Sequence, residues 1–529
     1  MSRFNLIDEK WLPVRFLDGS REELGIQDTL LRAKDIAVIE DPSPLVVAAL
    51  HRFLLAVLYR ALEGPTDIDQ AKKLFRDGVP GQKIGVYLEK WRDLFWLFHE
   101  KYPFYQVPDY EPKEKSGEKQ WRSWSVLAAE HNADNAKVLF DHLDVTKSGS
   151  IPSSRAACWL LACQTFALGG GRSDFQYTKS SPSATAVMVL PLGRDLQDTL
   201  AFSLVPQNRE VLKNDIPIWE RTPEKVATLQ KGTERAALGW ADLYSWRTRS
   251  IKLHSQGNGE TIGEIAFASG VGCSSESHTD PMLGYRISEK KGKLYVRFRE
   301  RGLWRDFDSL LPDKGNLAPK VIEHATALTK SNRERFPRSV MVLGLANDQA
   351  KIEYWRMERF AVPEALAGDR FIRTEIRQLL AEAERAESAL EKAMKVAAKF
   401  IIAKGKRELE RDKWNAGRWI PGDVSKFIGK SSFESVPVLA ANYWSKLESC
   451  FHEILSEYSV DRDSADIRQQ WLKSIRDILA TTWEQYRTSV SMGDAWAIRA
   501  LVKAEGHVLK KLKELDEEIL KPAPTMEGT

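Results

Sequence analysis

The chain has 529 residues, enough for two to four domains with a substantial core. Hydrophobic residues make up 43% and charged residues 29%, which is typical of a globular protein and excludes a disordered one. The formal net charge is only +4, so any nucleic-acid-binding surface must be a local concentration of basic side chains.

The sequence also carries signals about its compartment. The first residues lack the apolar core of a signal peptide, and no uninterrupted apolar run reaches about 18 residues, so we expect no transmembrane helix. The four cysteines, Cys158, Cys163, Cys273 and Cys450, are widely scattered. This spacing indicates reduced thiols in the cytoplasm and not a disulfide framework.

The N-terminal part mixes strand and helix patterns. Residues 4–16 combine aromatic and branched residues around Pro13 and predict a strand with a turn. Apolar residues at helical spacing predict a helix over 43–63, and the aromatic-rich segment 84–100 predicts another. The polar stretch 111–120 is typical of an exposed loop.

A run of three glycines follows a small, apolar, helix-like segment that ends at Leu168. Gly169, Gly170 and Gly171 have no Cβ, so a ligand can approach their backbone N–H groups closely. Arg172 follows directly, which suits a phosphate or a nucleic-acid groove. The spacing is neither that of a P-loop nor that of a dinucleotide-binding loop. A flexible turn that closes the helix explains the run equally well.

Two later stretches predict β-structure with polar tips. In residues 285–301, apolar and basic side chains alternate, which predicts a hairpin with a basic outer face; a merely solvated strand face stays open as an alternative. The tip of this hairpin carries Lys290, Lys291 and Lys293. The strand-like run 340–345 ends in a second polar tip that contains Asn347, Asp348, Gln349 and Ala350.

Beyond Pro363 the pattern becomes helical. Apolar residues lie on one face of a long helix over 364–401, and further helices fit 435–458, 464–488 and 492–519. Four long helices predict an antiparallel bundle. The predicted fold class is therefore α+β, with a large mixed domain at 1–362 and a four-helix bundle at 363–529.

One connection within the predicted bundle is basic. Residues 404–430 contain eight basic and four acidic side chains, a local excess of 8 − 4 = +4, with two interleaved tryptophans. Basic groups contact phosphates and aromatic rings can stack on bases, although a solvated connection with internal ion pairs remains open. The candidate backbone contacts are Lys404, Lys406, Arg407, Arg411, Lys413 and Arg418.

No catalytic motif emerges. The chain has neither a His-Glu-x-x-His pattern nor a Gly-x-Ser-x-Gly elbow. Asp141, His142 and Asp144 could hold a metal in a nuclease. Cys273 with His278 would supply two ligands where zinc needs four, and Cys158 and Cys163 fit buried thiols better than ligands. We therefore expect no enzymatic activity, no metal and no cofactor.

Read together, these stretches resemble the CasA-type large subunit of the type I-E Cascade complex, the RNA-guided surveillance complex of CRISPR immunity. The resemblance covers nearly the whole chain. It is carried by the order and spacing of the opening FNLIDEKWLPV, the segment from Phe140 to Gly171, the tip NDQAKI at 347–352 and the closing bundle.

The resemblance implies roles for the polar tips. Such subunits recognise a protospacer-adjacent motif in double-stranded DNA from the minor groove and open the duplex for guide RNA pairing. Gly169, Gly170 and Gly171 would form the glycine loop, and a lysine of the hairpin, Lys290, Lys291 or Lys293, would be the lysine finger. Gln349 would be the wedge inserted beneath the motif, with Asn347 and Ala350 beside it.

The resemblance also implies partners. Phe140, Asp141 and His142 would anchor the subunit near the 5′ handle of the guide RNA. The expected partners are the guide RNA, target double-stranded DNA, the other Cascade protein subunits and a helicase–nuclease, with no membrane. Two rival functions remain: a basic scaffold subunit without specific DNA reading, and a metal-dependent nuclease built on Asp141, His142 and Asp144.

Overall fold

A computed structural model divides the chain into two compact units, Met1–Phe360 and Ala361–Thr529. The first mixes strands and helices and the second is helical, which confirms the predicted α+β class. The structure describes residues 3–131, 149–169, 174–176, 179–274, 279–290, 292–299, 301–310, 316–330, 333–337, 339–348, 351–361, 370–403, 436–458, 463–489 and 495–521.

The first unit is built of short strands around one long helix. Its strands are β1 Arg3–Asn5, β2 Leu12–Phe16, β3 Arg21–Leu24, β4 Ile36–Ile39, β5 Trp96–Phe98, β6 Glu114–Lys115, β7 Glu118–Lys119, β8 Arg122–Ser123, β9 Ile151–Pro152, β10 Met188–Leu192, β11 Thr233–Arg235, β12 Arg249–Gln256, β13 Thr261–Ser269, β14 Val271–Cys273, β15 Tyr285–Ser288, β16 Gly292–Tyr295, β17 Asn316–Leu317, β18 Ser339–Asp348 and β19 Lys351–Phe360.

Helices connect these strands and cover the core. They are α1 Ile26–Leu31, α2 Pro44–Leu62, α3 Ile68–Asp77, α4 Gly81–Lys90, α5 Ser153–Phe166, α6 Leu196–Ser203, α7 Arg209–Asn214, α8 Val226–Gln230, α9 Trp240–Tyr244 and α10 Lys320–Thr329. The second unit contains α11 Arg370–Ala403, α12 Val436–Glu457, α13 Ser464–Ser489 and α14 Ala495–Ile519.

Helix α2 is the centre of the first unit. It begins where the Ser43 hydroxyl accepts a hydrogen bond from the Val46 N–H at 3.2 Å, and Pro44 stands in its first turn, where the missing N–H costs nothing. Nearly all of its residues are buried, and it packs against α5, α9 and β18. Its length and composition would also suit a membrane span, but 94% of its apolar window is buried inside the protein, as in a core helix.

A three-stranded antiparallel sheet in the order β10-β18-β19 carries the second predicted tip. Strand β10 pairs with β18 from Met188 opposite Leu343 to Leu192 opposite Ser339. Strands β18 and β19 form a long hairpin whose last described pair is Asp348 with Lys351. The first predicted tip lies on a separate sheet in the order β16-β15-β17.

The segment 84–100 is not one helix, which corrects the sequence-based prediction. Helix α4 ends at Lys90, and the aromatic residues that follow enter strand β5. There Trp96 pairs with Asn5, and Phe98 pairs with Arg3 of β1. In this strand Leu97 is buried between the half-buried Trp96 and Phe98, so a period of two replaces the helical stripe.

The second unit is a helix bundle with its own core. Helix α11 packs against α14, and α12 packs against α13. Two buried aromatic side chains tie the bundle to the backbone of α11: Trp471 donates its Nε1–H to the Leu379 carbonyl at 2.8 Å, and the Tyr443 hydroxyl donates to the Ala383 carbonyl at 3.0 Å. Each thereby finds a partner for its polar atom without leaving the core.

Candidate nucleic-acid interface

The glycine run begins where the buried helix α5 ends. The Gly169 N–H donates to the Ser180 hydroxyl at 2.7 Å, and the Ser181 N–H donates to the Ala167 carbonyl at 2.8 Å. These bonds hold together the chain that enters the loop and the chain that leaves it. Gly170 and Gly171 lie outside the described residues, so their contact with DNA stays a prediction.

A buried clamp fixes the entry to this loop. Arg249, the first residue of β12, donates from its guanidinium to the Leu168 carbonyl. The Gln164 side chain bonds the backbone of Arg249 twice, donating to its carbonyl at 2.9 Å and accepting from its N–H at 2.8 Å. Because both Arg249 and Gln164 are buried, the end of α5 has one position relative to strand β12.

The chain beyond the glycines is anchored as well. The Tyr110 hydroxyl donates to Asp174 at 3.1 Å, and burial, together with this carboxylate, raises the pKa of Tyr110. The Gln176 N–H donates to the Gln230 carbonyl at 3.0 Å. Lys179 forms an ion pair with Glu234 at 2.5 Å. The loop is therefore held on both sides by the body of the first unit.

The chain that leaves the glycine loop runs between the two predicted hairpins. It enters β10, which pairs with β18 on one side. On the other side, the Val187 N–H donates to the Val296 carbonyl at 2.9 Å, and the Val189 N–H donates to the Met282 carbonyl at 2.8 Å. Backbone hydrogen bonds therefore join all three candidate DNA-binding segments.

The three segments meet at one end of the β10-β18-β19 sheet. Strands β10 and β18 are antiparallel. Met188, at the end of β10 nearer the glycine loop, therefore lies opposite Leu343, nearer the tip of the β18-β19 hairpin, whereas Leu192 lies opposite Ser339. Gly344 stands at this end with a φ of +155°. A Cβ there would come within 2.7 Å of the Ala186 carbonyl oxygen and 3.3 Å of the Phe298 ring. The close approach of three segments therefore requires glycine at this position.

A buried ion pair stands behind this junction. Arg52, in the middle of α2, donates to Asp280 at 2.6 Å and to the Ser183 hydroxyl at 3.1 Å, and its guanidinium lies 4.2 Å from the centre of the Tyr244 ring. The two charged side chains are 2% and 3% exposed. The pair ties α2 to the chain after the glycine loop and to the chain before the lysine hairpin.

The lysine hairpin presents a basic surface. Lys290 is exposed, and Lys293 is exposed with its Nζ 3.0 Å from the Thr279 hydroxyl. Lys291 lies outside the described residues. The predicted alternation holds in part: Val296 and Phe298 are buried, whereas Leu294 is 41% exposed.

Three arginines share one carboxylate at the base of this hairpin. Arg286, Arg299 and Arg301 lie 3.5, 3.3 and 2.7 Å from Asp306, whose side chain is 5% exposed. One carboxylate cannot neutralise three guanidinium groups, so the surface keeps a positive excess that extends the charge of the lysines.

The remaining predicted site residues fall outside the described residues, and their roles stay predictions. Asn347 is the exception, since it pairs with Ile352 near the end of the β18-β19 hairpin. The undescribed residues are Gln349 and Ala350 of the wedge, Phe140, Asp141 and His142 of the guide-RNA anchor, Asp144 of the rival metal site, and Lys404, Lys406, Arg407, Arg411, Lys413 and Arg418 of the basic connection.

Two of the four cysteines lie in the core. Cys158 and Cys163 are buried, as predicted, and burial raises the pKa of both thiols, that of Cys163 to about 12. The described parts of the chain contain no group of three or more histidine, cysteine, aspartate or glutamate residues able to hold a metal. His278, the proposed partner of Cys273, lies outside them.

Sequence reasoning missed the residues that position the tips. Arg52 is a charged residue inside an otherwise apolar helical stripe, which predicts a buried partner of opposite charge. Gly344 interrupts a run of branched and apolar strand residues, a signal of close backbone approach. No local pattern marks Asp280 or Arg249 as the groups that complete these contacts.

Comparisons with known proteins agree over the length of the chain. The family model of CRISPR-associated protein Cse1 matches residues 5–482. The CRISPR-associated protein CasA/Cse1 of Thermus thermophilus is 33% identical and covers 98% of this chain and 99% of its own length. The solved structure of Thermus thermophilus CasA (Cse1) has a TM-score of 0.81 at 30% identity, over 97% of this chain and all of that one. A chain of a CRISPR RNA-guided surveillance complex shares the fold, with a TM-score of 0.67 at 18% identity, over 96% of this chain and 100% of that one.

Proposed function

The chain belongs to the CRISPR-associated Cse1 (CasA) family, the large subunits of CRISPR surveillance complexes, and on that premise we propose that it reads the protospacer-adjacent motif and starts strand opening. The observation that carries the proposal is the junction at one end of the β10-β18-β19 sheet. The chain that leaves the glycine loop is hydrogen-bonded there to the stem of the Gln349 hairpin on one side and to the stem of the lysine hairpin on the other.

The glycine loop suits the minor groove. Its entry is clamped by Arg249 and Gln164, so the backbone after Leu168 is presented in a fixed place. A backbone without side chains can lie against a groove floor where side chains would clash. The minor groove distinguishes A·T from G·C pairs but little more, so we expect a degenerate motif.

The lysines and the wedge act on the same duplex. The exposed Lys290 and Lys293 supply phosphate or groove contacts from a surface that already carries excess positive charge. Gln349, beyond the last described pair of the β18-β19 hairpin, inserts beneath the motif. Its contacts offset part of the cost of unstacking a base step, about a few kcal/mol.

The remaining partners follow from the family. In the proposed assembly the segment with Phe140, Asp141 and His142 meets the guide RNA, and the subunit recruits a helicase–nuclease that performs the cleavage. The subunit itself is not catalytic and works in the cytoplasm. Sequence specificity lies in guide RNA pairing, while this chain contributes motif reading.

The test is target-duplex binding by the assembled surveillance complex at fixed salt, because phosphate contacts make affinity salt-dependent. Wild-type and Gln349→Ala complexes are each measured on duplexes with the correct and with a scrambled flanking motif. We expect the wild type to discriminate between the duplexes. The variant should fail to open the correct duplex, and a target with a pre-opened bubble should restore its binding.

A matched control and two contrary outcomes complete this experiment. Gln82→Ala removes the same kind of exposed side chain from helix α4, which packs against α1 and α2, and should leave discrimination unchanged. If wild type and Gln349→Ala bind both duplexes alike, motif reading by this wedge is ruled out and a scaffold role without specific DNA reading takes its place. Metal-dependent cleavage by the purified chain that is abolished by His142→Ala would favour the nuclease instead.

A further inference from the structure

A second basic site lies in the first unit, away from the junction. An open cavity of about 620 Å³ is lined by Lys34, Arg76, Arg194 and Arg335, together with Leu17, Asp195 and Gln197. The four cations come from four separate places: the approach to β4, the last turn of α3, the turn after β10 and the approach to β18. None belongs to the segments assigned to motif reading.

The walls of this cleft are held by contacts behind it. The Arg335 guanidinium donates to the Phe75 carbonyl at 2.9 Å and lies 3.8 Å from the centre of the Phe75 ring. The Gln197 N–H donates to the Ala33 carbonyl at 3.1 Å, which joins α6 to the residue before Lys34. The cations are therefore gathered by the fold and need no ligand to bring them together.

The cleft keeps a positive excess after its ion pairs are counted. Arg335 pairs with the buried Asp198, which also lies 3.3 Å from Arg194. Arg76 pairs with Asp77 at 2.8 Å. With Asp195 included, four cations face three carboxylates, and among the described residues Lys34 has no carboxylate within ion-pair distance.

The lining favours a phosphate over an acidic protein segment. Among the described residues that line the cavity, Leu17 is the one apolar side chain, so a peptide would find little to anchor an apolar side chain. Three of the four cations are arginines, whose planar fork matches phosphate oxygens. The volume exceeds what one carboxylate fills and suits a phosphate ester with its neighbouring groups.

The cleft stands at the opposite end of the central sheet from the junction. Arg194 follows the last residue of β10, and Arg335 precedes β18, whereas the wedge tip follows the other end of β18. Nine residue steps from Ser339 to Asp348 span about 30 Å at about 3.3 Å per residue. A phosphate group bound in the cleft therefore does not touch the motif-reading tips.

We propose that the cleft formed by Lys34, Arg76, Arg194 and Arg335 is a phosphate-binding site, separate from the motif-reading junction. The phosphates come from a nucleic-acid backbone or from a free nucleotide. The site's affinity for phosphate does not depend on the proposed function, although a role in holding target DNA would rest on it.

The experiment measures binding of tripolyphosphate to the full-length chain by isothermal titration calorimetry at fixed low salt. The double variant Lys34→Glu and Arg194→Glu reverses two cations at the mouth of the cleft and should weaken binding by about tenfold or more. The matched control Lys83→Glu and Lys225→Glu reverses two exposed lysines elsewhere in the first unit and should bind like the wild type. Unfolding curves for all three proteins separate lost binding from lost folding.

Two further arms identify the source of the phosphate. If the cleft variant loses affinity for a 30-base-pair duplex but not for ATP, the source is the nucleic-acid backbone; the reverse result assigns a nucleotide. Equal tripolyphosphate affinity in the cleft variant and the control would overturn the proposal, as would tighter binding of a glutamate-rich peptide than of tripolyphosphate. Motif discrimination is read separately by Gln349→Ala, so one proposal can fail while the other stands.

Discussion

At Gly344 the absence of a single methyl group lets three chain segments meet. Its φ of +155° and the Ala186 carbonyl 2.7 Å from the place of a Cβ leave no room for a side chain. The Phe298 ring could turn aside, but the backbone carbonyl cannot move without shifting β10. Both the positive φ and the short contact make any residue other than glycine unfavourable at position 344.

Replacing Gly344 with alanine should lower the free energy of unfolding by about 1–3 kcal/mol. In the assembled complex it should also weaken motif discrimination, since it shifts the chain that leaves the glycine loop. The measurements are urea unfolding and duplex binding. Gly85→Ala, inside helix α4 with open space around its Cβ, is the control and should raise stability by up to about 1 kcal/mol. Equal stability of the two variants would contradict the close contact.

The Arg52–Asp280 pair makes a second residue-scale prediction. Asp280→Asn leaves a buried guanidinium without its counter-charge, so we expect a loss of about 3–5 kcal/mol in urea unfolding. Asp77→Asn, which breaks the exposed pair with Arg76, should cost at most about 1 kcal/mol. A small loss for Asp280→Asn would mean that the pair does not hold the junction together.

Residue-scale prediction from sequence succeeds where the signal is local. Cys158 and Cys163 lie on an apolar helical segment, and the structure buries both. Arg52 could be flagged as a charge in an apolar stripe, but its partner Asp280 is 228 residues away. Nothing in the neighbourhood of either residue identifies the other, because tertiary folding alone brings them together.

At the scale of elements, long periodic segments were predictable and mixed ones were not. The predicted helix over 43–63 agrees with α2, and the predicted helices of the C-terminal part agree with α11 to α14 within a few residues. The prediction of one helix over 84–100 was wrong, because part of this segment forms β5. That strand pairs with β1, more than 80 residues earlier in the chain. Pairing over that distance overrides local helical preference.

The lysine hairpin makes a prediction about salt dependence. In the assembled complex, Lys290→Ala with Lys293→Ala should weaken duplex binding and reduce the slope of log affinity against log salt by up to about 1.8, or about 0.9 for each lost phosphate contact. Lys83→Ala with Lys90→Ala, at two exposed lysines of helix α4, is the matched control and should leave the slope unchanged. An unchanged slope in the first variant would remove these lysines from the phosphate contacts.

For the whole molecule, buried histidines set the response to acid. Burial lowers the pKa of His51 and of His324 to about 4, below the ordinary value of 6.5. Between pH 6.5 and 4 the unfolded chain binds protons that the folded chain does not. The two histidines therefore leave the free energy of unfolding unreduced above pH 6.5, and each lowers it by about 3 kcal/mol as the pH drops to 4.

We expect His51→Gln to flatten the decline in unfolding free energy between pH 6.5 and 4, measured by urea unfolding across that range. Gln82→Ala, at an exposed side chain that does not titrate, should keep the wild-type slope. Burial also raises the pKa of Glu130 from 4.5 to about 7, so between these pH values the folded chain holds a proton that the unfolded chain releases. The stability that Glu130 contributes is therefore present below pH 4.5 and is lost as the pH rises to 7. The difference in slope between His51→Gln and the wild type gives the contribution of His51, and identical slopes would contradict this contribution.

The α+β fold class was predictable from the change in periodicity near Pro363, because helical and mixed segments have different repeats. The tips of the proposed site stay sequence predictions, whereas the junction of their stems could not have been predicted. Glycine, lysine and polar turn residues mark loops locally. That Val187 bonds Val296, and that Gly344 contacts Ala186 and Phe298, depends on sheet registers that no single segment encodes.

The shared junction has a consequence for how such a protein can change over evolution. The stems are fixed by backbone hydrogen bonds and by Arg52, Asp280 and Gly344, none of which lies at a tip. Tip residues can therefore be replaced without disturbing the hydrogen bonds and packing that position the stems. On the proposed function, a lineage that meets targets with altered flanking sequences can acquire a new motif preference by substitutions at a few loop positions, while the residues of the junction stay unchanged.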